Sequence, residues 1–259
     1  MRVLITNDDG VNAEGIKVLA DELSKIADVT VIAPDKERSA VGHGVTFFSP
    51  LRLSKLSEEE HKIIYKCNGT PVDCIIMGLY HVMKDNPPDL VITGINRGMN
   101  IGDDFHCSGT ISSAVEGALS GIQSMAVSCA TDMEFNVPSY EPIARIASAI
   151  AEEIFKNPLP KRFMLNLNAP VGEIKGIKLT HPGFSNFKYD IISRKDGLNL
   201  DYFWFNRKSN YHNEKYEGSD YQALTEGYVS LTPINLDLST TEIDLFKIID
   251  KEKIQKWTI

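Results

Sequence analysis

The first half of the chain alternates short, almost wholly apolar runs with longer segments in which apolar residues recur every three or four positions. The short runs predict buried strands, and they lie at 2–6, 28–34, 89–96, 124–130 and 163–170. The longer segments predict amphipathic helices that start near Glu14, Pro71, Ser108 and Tyr140. Strands and helices that alternate in this way are typical of a doubly wound α/β fold with a mostly parallel sheet.

Between the second and third of these strands, local sequence signals predict further elements. Residues 36–47 are polar and rich in small residues, which predicts a long loop. Shorter alternating segments within 45–66 predict a hairpin or edge strands. Thr70 followed by Pro71 is a strong helix start, because threonine is a favoured N-cap and proline fits the first helical position.

The pattern changes after about Pro182. Residues 184–218 are rich in aromatic, Asn, Lys and Asp residues, which favours an antiparallel arm or a long loop. A late strand is predicted within 228–239 and a terminal helix within 240–257. We therefore divide the chain into a sheet domain at 1–182 and a C-terminal part at 183–259. The latter is predicted to serve oligomerisation, because exposed apolar surface usually finds a partner.

Composition narrows the possible partners and the compartment. The net charge of −8 argues against binding to a nucleic-acid polymer or to an acidic membrane surface. The four cysteines form no CxxC pair, which argues against a zinc knuckle and predicts reduced thiols. Neither a signal-peptide pattern nor an apolar run of membrane-spanning length is evident. We therefore expect a cytoplasmic protein.

Four polar clusters fall at one edge of the predicted sheet. In open parallel sheets, ligands bind where the strands end. The clusters follow successive strands or open the next helix: Asp8 and Asp9, Ser39, Asn96, and Ser108-Gly109-Thr110. Their carboxylate, hydroxyl and amide oxygens are the ligands that Mg²⁺ and Mn²⁺ prefer. The alternative for NDDG is a simple turn, since Asn, Asp and Gly are the usual turn formers.

Two further segments suggest phosphate binding. The glycine-rich run 94–104 would let the backbone approach a phosphate closely, although a plain connection has the same composition. The SGT run at a helix start offers amides and hydroxyls to an anion, although Ser108 or Thr110 could be only an N-cap. Arg38 and Arg97 could touch an anionic ligand. The GxGxxG and P-loop patterns are absent.

The motifs taken together resemble the SurE family of metal-dependent nucleoside-monophosphate phosphatases. The matching segments run in order from about residue 3 to about residue 234: TNDDGVNAEGI, APDKERSAVGHGVT, NGTPVDC, ITGINRGMNIGDD, SGTISSAVEG, LNLNAP and EGYVSLTPI. The resemblance implies a Rossmann-like catalytic domain and a C-terminal part that exchanges between the subunits of a homodimer, with a tetramer left open. It implies hydrolysis of nucleoside 5′- and 3′-monophosphates, and some members trim polyphosphate.

The resemblance also implies roles for particular residues. One divalent ion per subunit, Mg²⁺ or Mn²⁺, would be held by Asp8, Asp9, Ser39 and Asn96. The phosphate would be contacted by Asn100 and by the segment Ser108, Gly109 and Thr110. Family members often carry an aromatic residue just before SGT, where this chain has Cys107 preceded by His106. The preferred base is therefore left open.

The sequence leaves open which roles Asp8 and Asp9 have, and it leaves open two rival functions. Asp9 is our candidate for proton handling and Asp8 for metal binding, although both could be ligands only.

A receiver-like signalling module also binds Mg²⁺ through paired aspartates. It needs a phosphorylatable Asp at the third strand end, where this chain has Asn96, and a lysine that SMAVSCAT lacks. The other rival is a non-catalytic nucleotide-binding protein.

Overall fold

The structure, a computed structural model, describes residues 1–132, 139–184, 188–208 and 216–239. Its strands are β1 (Arg2–Thr6), β2 (Asp28–Pro34), β3 (Leu53–Glu59), β4 (Lys62–Cys67), β5 (Leu90–Arg97), β6 (Gln123–Cys129), β7 (Phe163–Ala169), β8 (Ile177–Leu179), β9 (Lys188–Lys195), β10 (Asp201–Lys208) and β11 (Val229–Asn235). Its helices are α1 (Glu14–Leu23), α2 (Pro71–Met77), α3 (Gly109–Leu119), α4 (Glu141–Lys156) and α5 (Asp220–Thr225). A π-helical turn at Gly78–Val82 extends α2, and a 3₁₀ turn at Gly102–His106 precedes α3.

Strand pairing confirms the predicted fold class. Within the described residues, nine strands form one sheet in the order β3-β4-β2-β1-β5-β6-β7-β11-β8. The six central strands from β4 to β7 are parallel. β3 and β11 run antiparallel to β4 and β7. The chain is therefore a doubly wound α/β protein with a mostly parallel sheet.

The sheet is covered on both faces, which explains why its central strands are apolar throughout. On β1, Val3 and Ile5 pack into the core beneath α1 and α4, whereas Leu4 packs into the core beneath α2. All three side chains are fully buried. A strand buried on both faces has no position left for a solvent-facing side chain, so its polar residues concentrate where it ends.

The start of α2 follows its sequence signal. Thr70 accepts a hydrogen bond from the Asp73 N–H at 3.1 Å, and the Asp73 carboxylate accepts one from the Thr70 N–H at 2.8 Å. This reciprocal pair is a capping box, which satisfies two N–H groups at the helix start. The predicted hairpin before it is also present, because β3 and β4 pair antiparallel.

The later part of the chain contains an arm and further sheet strands. β9 and β10 form a separate antiparallel hairpin, as the arm interpretation predicts. β11 joins the main sheet beside β7, so the region after 182 also contributes to that sheet. The short β8 and α5 are not among the predicted elements. The predicted terminal helix at 240–257 lies outside the described residues, and the two-part division of the chain stays a prediction.

None of the helices in the described part of the chain combines the length and the apolar character that a membrane crossing requires.

Candidate metal and phosphate site

A cavity of about 580 Å³ opens at the carboxyl ends of β1 and β5. The chain winds outward from β1 through β2 to β4, and then returns to β5 on the other side of β1. This reversal of direction leaves a crevice at the strand ends, where ligands of open α/β sheets bind. Six of the eight predicted site residues line it: Asp8, Asp9, Ser39, Asn96, Asn100 and Ser108.

The turn after β1 explains why a buried strand runs into two aspartates. The Asn7 side chain donates to the Gly10 carbonyl at 3.0 Å and accepts from the Gly10 N–H at 3.1 Å. Gly10 has a φ of 96°, and a Cβ there would lie 3.1 Å from the Lys36 backbone. Asn7 and Gly10 therefore form the turn, as their residue types predict, while Asp8 and Asp9 line the cavity.

Asp8 is buried against the start of α3. The Thr110 hydroxyl donates to its carboxylate, and Gly109 leaves the space it occupies, since a Cβ there would lie 3.1 Å from Asp8 Oδ2. Burial raises the pKa of Asp8, while hydrogen bonds from the Thr110 side chain and backbone oppose the rise. Gly109 and Thr110 thus contact Asp8, whereas the cavity is lined by Ser108. Their predicted phosphate contacts stay predictions.

Asp9 carries a charge that the fold compensates only in part. Its Oδ2 accepts a hydrogen bond from the Arg97 N–H at 3.0 Å. Burial, with smaller contributions from the charges of Asp8 and Glu37, nevertheless raises the pKa of Asp9 to about 6. A proton or a cation would relieve this cost.

Ser39 and Asn96 bring oxygen atoms to the same cavity. Asn96 Nδ2 donates to the Gly98 carbonyl at 2.8 Å, which leaves its Oδ1 as the atom suited to a cation. The Ser39 hydroxyl donates to Glu37 Oε1 at 2.7 Å and is exposed. Two side chains, one at the end of β5 and one in the loop after β2, therefore line the cavity together with the two aspartates.

The chemistry of this donor set fits a hard divalent cation. In the described part of the chain, no group of three or more His, Cys, Asp and Glu side chains is arranged to hold a metal ion. The set found here has two carboxylates, an amide oxygen and a hydroxyl, which suits Mg²⁺ or Mn²⁺ with water completing the shell. The raised pKa values of Asp8 and Asp9 are the observation that calls for positive charge.

Asn100 and Ser108 add two polar side chains to the lining of the cavity. Ser108 is the N-cap of α3, because its hydroxyl accepts from the Ile111 N–H at 3.1 Å. This agrees with the alternative interpretation of SGT, and Ser108 lines the cavity as well. Asn100 is buried and donates from Nδ2 to the Ser128 hydroxyl at 2.9 Å. Both therefore stand where an anion bound beside the carboxylates would find polar groups.

Only some of the remaining candidate residues line the cavity. Arg97 and Cys107 line the cavity. Arg38 instead donates to the Asn68 carbonyl at 2.7 Å. His106 lines a neighbouring apolar groove.

Sequence reasoning missed several polar residues of the site region. Glu37 and Asp104 line the cavity, and Asn166 and Asn168 bond the backbone of Asn100. Glu37 and Asp104 carry no signal beyond their charge. The asparagines did carry one, because LNLNAP places two amides on one face of a strand that is otherwise apolar. Buried polar side chains require partners.

Comparison with known proteins gives consistent matches. The family model described as "Survival protein SurE" matches residues 3–189. A protein of Thermosipho melanesiensis named 5′-nucleotidase SurE is 43% identical over 93% of this chain and 94% of its own length. Its namesake from a Thermoanaerobacter strain is 40% identical over 98% and 99%. The crystal structure of the SurE protein from Aquifex aeolicus superposes with a TM-score of 0.79 at 35% identity, covering 99% of this chain and 100% of that one.

Proposed function

The chain belongs to the SurE family, and from that membership we propose that it is a divalent-metal-dependent 5′-nucleotidase. It would hydrolyse nucleoside 5′-monophosphates to a nucleoside and phosphate. The observation that carries the proposal is the shared cavity, which is lined by Asp8, Asp9, Ser39 and Asn96 together with Asn100 and Ser108. Relatives named 5′-nucleotidase over nearly their whole length support the reaction class.

The four oxygen donors would hold one Mg²⁺ or Mn²⁺ per subunit. Bound there, the ion supplies charge neutralisation for the phosphoryl group as negative charge builds on its oxygens. Asp8 is fixed by Thr110 and keeps one orientation. Asn100 and Ser108 would hold the phosphate by hydrogen bonds.

Asp9 is the candidate for moving a proton. It is less buried than Asp8, and the Arg97 N–H orients one of its oxygens. Without the ion, burial raises the pKa of Asp9 to about 6, and a cation bound beside it would lower that pKa. We propose that Asp9 accepts the proton of the attacking water. Asp8 remains a ligand, because burial and the hydroxyl of Thr110 hold it in place.

The cavity leaves room for substrates beyond 5′-monophosphates. It opens to solvent at Ser39 and Arg97, both of which are exposed. We therefore extend the proposal to 3′-monophosphates, and a substrate panel that includes polyphosphate checks its reach. We also propose a cytoplasmic location, in keeping with four cysteines that are all free thiols.

The direct test is release of inorganic phosphate from AMP with Mn²⁺. Asp8→Asn should lower kcat by about 100-fold or more, since it removes one of the two charged ligands proposed for the ion that neutralises the transition state. The matched control is Asp35→Asn. Asp35 is exposed just past the end of β2, and it pairs with Arg38 outside the cavity.

The control variant should keep wild-type turnover, and both variants should melt as cooperatively as the parent. A wild-type protein that binds AMP but releases no phosphate would be the non-catalytic binder. If Asp8→Asn kept the wild-type turnover, this cavity could not be the active site.

A further inference from the structure

The backbone of Asn100 is bonded on both sides by side chains of β7. Its N–H donates to Asn168 Oδ1 at 2.8 Å. Its carbonyl accepts from Nδ2 of Asn168 at 3.1 Å and from Nδ2 of Asn166 at 2.8 Å. All three residues are buried. The Asn168 amide thus pairs with the peptide of Asn100 as a neighbouring strand would, although Asn100 lies in a loop.

The same loop is held again two residues later. The Gly102 N–H donates to Asp220 Oδ2 at 2.8 Å. The other oxygen of Asp220 accepts from the N–H groups of Gly183 at 3.0 Å and Tyr221 at 2.8 Å. Asp220 is almost completely buried at the start of α5. A loop segment of three residues is therefore held at both ends by side chains that are far away in sequence.

We propose that Asn168 and Asp220 are positioning residues for the substrate phosphate. They fix the backbone from Asn100 to Gly102, and this sets where the Asn100 amide stands in the cavity. The inference rests on the proposed function, since it assigns Asn100 to the phosphate. Neither residue lines the cavity, so each would act through Asn100 and without touching the substrate.

The geometry favours positioning over simple stabilisation. A buried loop peptide without partners would be costly, and one hydrogen bond for each of its groups would remove that cost. Here the Asn100 carbonyl has two amide donors, and its side chain is held as well by the Ser128 hydroxyl at 2.9 Å. Four hydrogen bonds on one residue restrict its orientation, which is the requirement for a group that must meet a phosphate at a fixed distance.

Two variants separate the two ends of the segment. Asn168→Leu is close in size and removes both bonds to the Asn100 backbone. Asp220→Asn keeps one oxygen for Gly183 and Tyr221, and removes the acceptor of the Gly102 N–H. The control is Ser124→Ala. It removes a buried hydroxyl that donates to the Ile122 carbonyl at 3.0 Å, near the start of β6 and away from the loop.

The readouts distinguish phosphate binding from metal binding and from stability. With Mn²⁺ present, both variants should raise the KM for AMP and the calorimetric Kd for inorganic phosphate by about 10-fold, the factor that 1.4 kcal/mol of lost binding gives. The Kd for Mn²⁺ without phosphate should stay at the wild-type value. Ser124→Ala should lower the melting temperature and leave both phosphate readouts unchanged.

Unchanged phosphate affinity in folded variants would overturn the inference, as would an equal loss in Ser124→Ala. If Asn168→Leu does not fold, Asp220→Asn decides alone, because it keeps the other hydrogen bonds of its carboxylate. A wild-type protein that binds phosphate but hydrolyses no AMP would end the proposed function and leave the positioning test intact, since phosphate affinity is measured directly.

Discussion

At the residue scale, the missing side chain of Gly109 makes room for the Asp8 carboxylate. A Cβ at this position would lie 3.0 Å from Asp8 Cβ and 3.1 Å from its Oδ2. Asp8 cannot retreat, because it is buried and bonded to the Thr110 hydroxyl. Gly109→Ala should therefore lower the kcat for AMP by at least about 10-fold.

Stability should respond differently from activity in this variant. An alanine in a helix is intrinsically favoured over glycine by about 1 kcal/mol, which offsets part of the crowding. We expect little change in the melting temperature. Gly197→Ala is the control, since a Cβ there meets open space. Wild-type turnover in Gly109→Ala would show that the position of Asp8 tolerates displacement.

The raised pKa of Asp9 predicts that the stability of the metal-free protein depends on pH. Its folded pKa of about 6 lies above the unfolded value of about 4, so the protonated form favours the folded state. The contribution of Asp9 is fully present below pH 4 and is lost as the pH rises through 6. It amounts to about 3 kcal/mol across that window.

This contribution is the difference in the free energy of unfolding between the wild type and Asp9→Asn. Chemical unfolding of both proteins without metal, at pH 4 to 7, measures it. The wild type should lose stability relative to the variant as the pH rises. At neutral pH, Mn²⁺ should stabilise the wild type by mass action and the variant much less. A difference that does not vary with pH would contradict the prediction.

At the element scale, the capping box predicts that Thr70 stabilises the fold. Its hydroxyl accepts from the Asp73 N–H and donates to the Gly44 carbonyl at 2.7 Å. Thr70→Ala should lower the free energy of unfolding by about 1 to 2 kcal/mol. The kcat for AMP should be unchanged, because none of the α2 residues lines the cavity.

Urea unfolding of Thr70→Ala beside Thr70→Ser checks this effect. The serine variant keeps the hydroxyl and should lie close to the wild type. Equal midpoints for the alanine and serine variants would mean that the cap contributes nothing.

How much the sequence predicts depends on the range of each signal. Thr70-Pro71 marks a helix start within a few residues, and the apolar runs mark the central strands, because these patterns are local. β8 has three residues and α5 six, too few for a period to show. The link between Asn100 and Asn168 spans 68 positions, and only tertiary packing brings the two asparagines together.

The site follows the same rule. Asp8, Asp9, Ser39 and Asn96 could be assigned to one edge because a parallel sheet places all strand ends together. Gly109 and Thr110 contact Asp8, and their predicted contacts with the phosphate stay predictions. Sequence indicated the helix end at which they lie, but their contact with Asp8 depends on how α3 packs against β1.

At the scale of the whole molecule, the β9–β10 hairpin exposes apolar residues on both faces. Phe203, Trp204 and Phe205 are consecutive, and each is more than half exposed. Successive residues of a strand point to opposite faces, so neither face is polar. An isolated two-stranded hairpin is marginally stable in water. We therefore predict that a second copy of the chain covers this hairpin and that the protein is at least a dimer.

Sedimentation velocity of Phe203→Glu/Trp204→Glu, which places a charge on each face, tests this prediction. The wild type should sediment at twice the monomer mass of 28.8 kDa or more, and the double variant at the monomer mass. Phe155→Glu on α4 is the control, because Phe155 is also about half exposed but lies outside the hairpin. A monomeric wild type, or a double variant that stays dimeric, would contradict it. Because the cavity is lined by residues from Asp8 to Thr131, the monomeric variant should still bind Mn²⁺ as the wild type does.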